Sequence, residues 1–432
     1  MHIGSRPLPF FHADAADRLN DQPPLADTLD GLLRFGTLML RAGNPSFRVH
    51  EAIGLLARRF AIDSLALLVT LNGMTATAQR GAERTTLAVN VAPVGINVRR
   101  LGALERLVEE TSPGLTVAQL TAQLDAIEAA PPLRPVVVVG VAVGFASAAF
   151  AYLNGGTVAV LLAAFVAGGL GQMLRGLLLA KRLNQYAVTA LCAVFASGLY
   201  CLVTTLQDRT GVMAGNAAGF ISSVLFLVPG FPLVAALLDL LQHQTIAGLA
   251  RLAYGTMVLL AAAFGLYVVA AVAGLAVVPP PPPPAEGPAA TLALRGLASF
   301  IGGCGFSILY NSSRRTVLVV GVLALIGNEL RLGLHDLGLA LPPATFIGAF
   351  TVGLLAGIMR SGLREPRIAF TVPGIIIMVP GLYAFQTVVQ FAQGNALAGL
   401  EAAVLAAFVV GAMALGLVAA RFVTERRWLI ES

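Results

Sequence analysis

Residues 225–249 read LFLVPGFPLVAALLDLLQHQTIAGL, and residues 375–400 read IIIMVPGLYAFQTVVQFAQGNALAGL. The two stretches align without a gap at an offset of 379 − 228 = 151 positions, which places Val228-Pro229-Gly230 against Val379-Pro380-Gly381. Both are hydrophobic segments interrupted by Pro-Gly, and such breaks free backbone carbonyls and helix ends to meet a polar ligand inside a membrane. The pattern predicts a duplicated membrane domain that moves a small solute.

The composition is typical of an integral membrane protein. Of the 432 residues, 57% are hydrophobic and 12% are charged, whereas a soluble domain carries about 25% charged residues. The Lys and Arg residues behind the net charge of +6 lie between long apolar runs and form no basic stripe with aromatic residues. We therefore expect the lipid bilayer, and no nucleic acid, as a partner.

The chain divides into five regions. Residues 1–24 contain prolines and acidic residues where a secretory signal would need an apolar core, so we expect a disordered leader. Residues 25–132 predict a small α+β domain. Residues 133–278 and 290–432 are the two membrane repeats, and the Pro-rich linker 279–289 joins them.

Within the α+β region, helical periods alternate with short strand-like runs. A helix is predicted from Leu25 to Arg41, and a second begins after a Gly-Asn-Pro turn with Ser46 as its N-cap. Thr116 and Gln119 have the spacing of a capping box at the start of a later helix. Three runs rich in Thr, Val and Leu between these helices predict a small sheet.

About ten apolar spans follow, five in each repeat, and an odd number inverts the second repeat relative to the first. The spans are Val136 to Leu153, Val158 to Leu174, Ala187 to Leu206, Val212 to Leu241, Leu249 to Val278, Ala290 to Leu309, Thr316 to Gly333, Pro343 to Met359, Phe370 to Phe391 and Leu397 to Ala420. By this count one side collects most of the basic residues: Arg134, Arg175, Lys181, Arg182, Arg251, Arg314, Arg315, Arg360, Arg364, Arg367, Arg421, Arg426 and Arg427. The positive-inside rule then places both termini and the α+β domain in the cytoplasm.

Asp239 and Glu329 are acidic residues that lie within predicted spans. Asp239 follows the first Pro-Gly break, and a carboxylate in a span is costly and usually lines a cavity. We expect it to bind a substrate ammonium group or to carry a coupled proton; alternatively it pairs with Arg251 or His243 and anchors the helix at the interface. Glu329 and Arg331 are interpreted as an ion pair near the end of a span.

Uncharged polar residues accompany both breaks. Asn216, Ser222 and Ser223 lie in the first broken segment, and Tyr383 and Gln386 lie in the second. These hydrogen-bonding groups either face a cavity that takes a small polar solute or bond between helices.

No H-E-x-x-H, G-x-S-x-G or G-x-x-x-x-G-K-[ST] motif occurs, so the usual chemistry of zinc proteases, serine hydrolases and ATP-driven pumps is missing. We expect no enzyme activity, no cofactor and no metal, and an ion gradient as the source of energy. The alternative is a membrane-anchored enzyme or sensor that acts through Ser46, Arg48, His50 and Glu51.

Taken together, these motifs resemble the threonine/serine exporter family. Residues 38–51, LMLRAGNPSFRVHE, are similar to the family's cytoplasmic motif, a helix and a Gly turn followed by Ser and Arg-Val-Glu, although His50 is inserted before Glu51. Residues 227–230 with Asp239 and residues 247–251, AGLAR, resemble its first-half signature.

The second half resembles the companion domain of that family, which some bacteria encode as a separate chain. The similar segments are Gly305-Phe306, Asn311, Arg314-Arg315, Ala344-Thr345-Phe346 and residues 379–383, VPGLY. The resemblance implies a fused exporter in the bacterial inner membrane that moves threonine or serine, or small dicarboxylates as in split-chain relatives, with protons as the coupled ion. It leaves the choice between a monomer and a homo-oligomer open.

The second copy carries Gln390 where the first carries Asp239 (239 + 151 = 390), which makes Asp239 the candidate for coupling. The residues expected to bind substrate or to couple transport are Asp239, Pro229, Gly230, Pro380, Gly381, Ser222, Ser223, Asn216, Tyr383, Gln386 and Arg251.

Overall fold

A computed structural model describes residues 23–91, 95–110, 114–207, 217–275, 287–363 and 365–425. In the N-terminal domain the elements are α1 (Leu25–Arg41), α2 (Ser46–Arg59), β1 (Ser64–Val69), β2 (Gly73–Arg80), β3 (Glu83–Asn90), α3 (Val98–Glu110) and α4 (Val117–Ala129). The first membrane repeat contains α5 (Val136–Leu153), α6 (Val158–Ala180), α7 (Gln185–Gln207), α8 (Ala217–Ser222), α9 (Gly230–Leu241) and α10 (Thr245–Val272). The second contains α11 (Pro288–Leu309), α12 (Arg314–Asp336), α13 (Leu341–Leu363), α14 (Ile368–Ile375), α15 (Gly381–Ala392) and α16 (Ala396–Thr424).

The N-terminal domain packs four helices against an antiparallel meander of order β1-β2-β3. Helix α1 supplies the centre of its core because Leu29, Leu32 and Phe35 recur at helical spacing and are completely buried. The predicted capping box of α4 is confirmed. The Thr116 hydroxyl accepts the Gln119 amide at 3.2 Å, and the Gln119 side chain accepts the Thr116 amide at 3.0 Å.

The membrane region confirms a polytopic helical protein. Within the described ranges, eight helices are long and apolar enough to cross a bilayer, and the pair α14–α15, bent by 49° at its break, can be counted as a ninth. The remaining predicted span, Val212 to Leu241, is described only from Ala217, and its apolar part, Leu225–Leu241, is too short to count by itself. Eight of the predicted spans are therefore single helices, and the two that contain Pro-Gly are the broken ones.

Apolar side chains on the surface follow the same division. Among the described residues, Leu68 is the one exposed large hydrophobic residue that precedes Leu133, whereas the membrane helices expose many, such as Val158, Val272 and Phe408. Such a surface suits lipid contact and would be unusual in water.

The two repeats share one element order. Each has three long helices, a short helix, a 3₁₀ turn, a Pro-Gly break, a helix of 12 residues and a final long helix. The 3₁₀ turns at Leu225–Leu227 and Ile376–Met378 precede Pro229 and Pro380, whose φ and ψ angles are −81° and 52° in the first copy and −79° and 54° in the second. The backbone thus repeats the break that the sequence repeats.

The predicted N-cap of α2 is wrong, and three other predictions fall on residues that are largely outside the described ranges. The N-cap of α2 is Pro45, one residue before the predicted Ser46, and its ring offers no cap hydrogen bond, so α2 takes its cap from elsewhere in the chain. The leader, except for Pro23 and Pro24, and the proline run of the linker lie outside the described residues. Asn216 lies outside them as well.

Candidate functional site

The two Pro-Gly breaks contact each other in the interior of the membrane region. A Cβ atom placed on Gly230 would lie 3.1 Å from Cδ1 of Ile376 and 3.2 Å from Cγ2 of Val379. One placed on Gly381 would lie 3.8 Å from Cγ2 of Val228. Each glycine is buried and lets the backbone of one repeat approach the turn of the other, so the breaks form a shared centre.

A cavity of about 340 Å³ lies beside the first break, within the range of about 300–1,000 Å³ typical of small-molecule sites. Its walls come from the turn before α9, from α6, α7, α10 and α11, and from the N-terminal domain. The lining residues are Gly43, Gly95, Ile96, Gln172, Arg175, Leu179, Gln185, Phe226, Leu227, Val228, Pro229, Phe231, Pro232, Arg251, Tyr254, Val258, Leu309 and Tyr310. The N-terminal domain thus closes part of the cavity wall.

The polar groups of the cavity concentrate on one face of α6. Arg175 donates a hydrogen bond to the backbone carbonyl of Phe226 at 3.0 Å and has no acidic partner among the described residues. Gln172, three residues earlier and therefore on the same helix face, is 91% buried, and its Oε1 atom has no hydrogen-bond partner in the part of the chain that the structure describes. Sequence reasoning assigned Arg175 only to the basic side of the membrane and passed over Gln172.

Asp239 lies behind this cavity and does not line it. The carboxylate is completely buried, and its Oδ1 atom accepts a hydrogen bond from the Phe47 amide at 3.3 Å. Oδ2 lies 3.4 Å from Nε of Arg251 and has no hydrogen bond among the described residues. Arg251, also buried, donates to the backbone carbonyl of Asn44 at 3.0 Å and reaches the cavity wall. Of the two interpretations of Asp239, the alternative pairing with Arg251 is confirmed, whereas the expected position on a cavity wall is not found at this cavity.

This pair connects the membrane region to the N-terminal domain. Pro45 cannot cap α2, and the Asp239 carboxylate stands at that helix N-terminus, where free amides and the helix dipole favour a negative charge. Arg251 holds the preceding turn through Asn44, and Gly43 adopts the positive φ of 103° that this turn requires. The Asp239–Arg251 pair of the first repeat therefore holds the N-terminus of α2 and the turn before it.

The second repeat holds the N-terminal domain through other contacts. The Val98 amide donates to the Tyr310 carbonyl at 2.9 Å, and the Asn311 side-chain amide donates to Asn97 at 3.0 Å. Arg106 pairs with Glu365 at 3.6 Å across the same interface.

The other predicted polar residues do not line the cavity. The hydroxyls of Ser222 and Ser223 donate to carbonyls of their own segment, Ala218 and Phe220. Tyr383 and Gln386 are half-buried on α15, in the second repeat. Of the eleven predicted positions, Pro229 and Arg251 line the cavity, while Gly230, Pro380 and Gly381 lie buried at the breaks.

The expected pairing of Glu329 with Arg331 is wrong. Arg331 donates hydrogen bonds to Thr345 and to Asn328, each at 3.1 Å, and within the described ranges Oε1 of Glu329 has no hydrogen-bond partner. Side chains two positions apart on a helix point in different directions, which explains why Glu329 and Arg331 do not pair.

The residues of the alternative enzyme site serve structural contacts. His50 bonds the Ser46 carbonyl through Nδ1 and the Leu67 carbonyl through Nε2, each at 3.0 Å, and so joins α2 to β1. Arg48 pairs with Glu51 and Glu105; burial alone would lower the pKa of Arg48, but these carboxylates raise it above its ordinary value. In the ranges that the structure describes, no three His, Cys, Asp or Glu side chains converge on a metal position.

Comparison with known proteins agrees with this architecture. The model of the family described as "Putative threonine/serine exporter" matches residues 30–273, and that described as "Threonine/Serine exporter, ThrE" matches residues 295–423. A probable threonine/serine exporter of Mycobacterium tuberculosis is 24% identical over 413 residues, which is 90% of this chain and 75% of that protein. A probable succinate transporter subunit, YjjP, of Escherichia coli is 27% identical over 251 residues, 56% of this chain and 93% of its own length. The subunit of the same name in Klebsiella aerogenes is 26% identical over 232 residues, 52% of this chain and 86% of its length. No solved structure matches the chain.

Proposed function

Because the chain belongs to the threonine/serine exporter family, we propose that it exports threonine, serine or a similar small polar metabolite and that a proton gradient drives the export. The observation that carries the proposal is the contact between the two Pro-Gly breaks beside a cavity of about 340 Å³. Broken helices at matching positions of two repeats are the usual setting of a substrate site in secondary transporters.

Alternating access would come from movement of one repeat against the other about the paired breaks. Gly230 and Gly381 carry no side chain at the contact, so the two turns can shift without displacing large groups. The duplicated element order supports two repeats of opposite orientation, as five crossings in each would produce.

We assign the coupled proton to Asp239. Its carboxylate is buried, and Oδ2 accepts no hydrogen bond from the described residues although Nε of Arg251 lies 3.4 Å away, so the ionised form is incompletely satisfied. Protonation would weaken both the attraction to Arg251 and the cap of α2. The N-terminal domain would then loosen from the cavity that Gly43, Gly95 and Ile96 help to close.

The placement of the protein follows from the same reasoning. The N-terminal domain covers the ends of the helices that carry most basic residues, and the positive-inside rule assigns such a face to the cytoplasm. We place the chain in the bacterial inner membrane with both termini inside.

A small dicarboxylate is the second candidate substrate. Two of the similar proteins are named as probable succinate transporter subunits. Among the described residues, no acidic side chain lines the cavity to receive a substrate ammonium group. Arg175, by contrast, offers a positive charge to a carboxylate.

The test is uptake into inside-out vesicles that carry the full-length protein. Labelled threonine, serine and succinate are supplied under an imposed proton gradient, with Asp239→Asn and the exposed-pair variant Asp336→Asn measured beside the wild type. We expect gradient-dependent accumulation in the wild type and in Asp336→Asn, and its loss in Asp239→Asn.

Each outcome decides a different part of the proposal. Accumulation that survives in Asp239→Asn would remove Asp239 from the coupling path and leave the exporter in place. Accumulation that does not require the imposed gradient would contradict the proposal that protons drive the export. If none of the three substrates accumulates, activity in the N-terminal domain, at Ser46, Arg48, His50 and Glu51, becomes the hypothesis to pursue.

A further inference from the structure

A five-residue motif occurs once in each repeat, on its second long helix. Gly171-Gln172-Met173-Leu174-Arg175 lies on α6, and Gly327-Asn328-Glu329-Leu330-Arg331 lies on α12. Both read Gly, amide, any residue, Leu, Arg, and their offset, 331 − 175 = 156, equals that of the helices, since 314 − 158 = 156. The motif is therefore part of the duplicated architecture.

The glycine of each motif packs against the 3₁₀ turn that precedes the break of its own repeat. A Cβ atom on Gly171 would lie 2.8 Å from Cζ of Phe226, and one on Gly327 would lie 2.9 Å from Cε of Met378. These distances leave no room for a side chain without movement. Each motif is thereby fixed at the break that the proposed transport cycle uses.

In the first repeat the motif faces the cavity, and much of its hydrogen-bonding capacity is unused. The Arg175 guanidinium bonds one backbone carbonyl, that of Phe226, and has no acidic partner among the described residues. Gln172 is 91% buried with Oε1 unpaired. The other guanidinium in the cavity wall, Arg251, is compensated by Asp239. The half-buried guanidinium of Arg175 is thus left with its positive charge available to a ligand. A partly desolvated charge without an acidic partner is costly, and a bound carboxylate would reduce that cost.

In the second repeat the corresponding groups are paired within the chain. Arg331 donates to Thr345 and Asn328, and the Asn328 amide donates to Ser299 at 2.9 Å. Arg331 lies 331 − 314 = 17 residues beyond the start of α12, about 26 Å along the helix. That start adjoins Ser312, whose carbonyl bonds Arg134 beside the N-terminal domain, so Arg331 lies toward the opposite end of the bundle.

We propose that the two motifs are paired carboxylate-binding elements, one for each side of the membrane. In this conformation Arg175 holds the carboxylate of the substrate, and Gln172 accepts a hydrogen bond from a substrate hydroxyl group where one is present. Arg331 is bonded to Thr345 and Asn328 and does not hold substrate in this conformation. The chemical class of the substrate is then an organic carboxylate, and the amine of an amino acid contributes little to binding. This inference rests on the proposed function for its role, but the binding step can be measured without transport.

The experiment measures ligand-induced thermal stabilisation of the purified full-length protein in detergent. The probes are threonine, 3-hydroxybutyrate, which lacks the amine, threonine methyl ester, which lacks the carboxylate, and succinate. We expect threonine, 3-hydroxybutyrate and succinate to stabilise the wild type and the ester to have no effect. Arg175→Gln should raise the apparent Kd of the carboxylates by about tenfold to a hundredfold, the usual effect of losing a hydrogen bond to a charged group.

Arg295→Gln is the matched control, because Arg295 pairs with Asp336 on α12 away from the cavity and its loss should leave binding unchanged. Gln172→Glu is a second variant in case Arg175→Gln does not fold. It keeps the Arg175 guanidinium and places a carboxylate three residues away, where that carboxylate competes with the ligand for Arg175. It should abolish carboxylate binding while the protein stays folded.

Carboxylate binding at wild-type strength in folded Arg175→Gln or Gln172→Glu would overturn the proposal, and so would equal stabilisation by threonine and its methyl ester. A wild type that binds none of the carboxylates would also overturn it. Binding without transport in vesicles would count against the proposed export and leave the carboxylate site intact, so the two failures are distinguishable.

Discussion

The two broken segments have nearly the same backbone but different charges at the same end. Asp239 and Arg251 of the first repeat correspond to Gln390 and Ala402 of the second at the offset of 151. In the first repeat the charged pair is buried under the N-terminal domain; in the second, Gln390 is half-buried and accepts a hydrogen bond from Asn395 at 3.0 Å.

The difference separates two kinds of feature. The Pro-Gly breaks and the Gly-amide-x-Leu-Arg motifs occur in both repeats, so we assign them to a role that the two repeats share. The Asp239–Arg251 pair occurs where the N-terminal domain docks and has no counterpart in the other repeat. The Asp239–Arg251 pair thus connects the first repeat to the N-terminal domain, which covers one end of the membrane helices.

The largest effect is expected when the first repeat is given the residue of the second. Asp239→Gln removes the carboxylate that compensates Arg251 and caps α2, and breaking a buried ion pair typically costs about 3–5 kcal/mol. We expect the free energy of unfolding to fall by about that amount and the α2 turn to become accessible to protease. Denaturant unfolding and limited proteolysis measure both.

The control for this change is Asp336→Asn, which breaks the exposed pair with Arg295. Exposed pairs contribute about 0–1 kcal/mol. Equal destabilisation by the two variants would mean that Asp239 does not hold the N-terminal domain. It would then contradict the inference that the charged pair of the first repeat has a docking role that the second repeat lacks.

Replacing both charges sharpens the same comparison. The double variant Asp239→Gln, Arg251→Ala has the uncharged pair of the second repeat and leaves no buried charge alone. We expect it to regain about 2 kcal/mol of the stability lost in Asp239→Gln, because the desolvation cost of the unpaired guanidinium disappears. A double variant less stable than the single one would show that Arg251 contributes mainly through the Asn44 carbonyl.

The sequence predicted more of the fold than of the site, for a physical reason. Apolar runs and Pro-Gly breaks are local patterns, so the spans and the duplicated break could be recognised directly. The residue that caps α2 could not be recognised in this way. The first turn of α2 donates a hydrogen bond from Phe47 to Asp239, which lies 192 positions away, whereas local spacing favoured Ser46 as the cap. Arg175 was hidden because a basic residue near a helix end also marks topology; the repeated five-residue motif was the signal that could have revealed it.

The third prediction concerns the motif of the second repeat. Arg331→Gln should lower the rate of transport about tenfold, the loss expected for one charge-assisted hydrogen bond, and leave carboxylate binding at Arg175 unchanged. Arg315→Gln, exposed near the start of the same helix, is the control and should transport normally. Both are compared in vesicle uptake and in thermal stabilisation by succinate. If Arg331→Gln transports at the wild-type rate, the second motif is a packing element and the repeats differ here too.

The smallest effect tests how the second repeat holds the N-terminal domain. Glu365 lies between α13 and α14, over Gly102 of α3, with Arg106 at 3.6 Å. Burial raises the pKa of Glu365 above its ordinary value, and the charge of Arg106 offsets only part of this effect. The folded protein therefore binds this proton more tightly than the unfolded chain does.

For a group whose pKa is raised by folding, the stabilisation is complete below the unfolded pKa, near the ordinary value of 4.5, and is lost as the pH rises through the higher folded pKa. Mild acidification should thus strengthen docking at Glu365, by about 1 kcal/mol or less.

Glu128 and Glu425, whose pKa values are lowered by arginine partners, act in the opposite direction. The difference between wild type and Glu365→Gln isolates Glu365, because the other groups cancel in it. Thermal unfolding from pH 4 to pH 8 should show the wild type losing stability relative to Glu365→Gln as the pH rises. A pH-independent difference would mean that Glu365 has the same pKa in the folded and unfolded states, and that the second repeat docks the domain through its backbone and amide contacts alone.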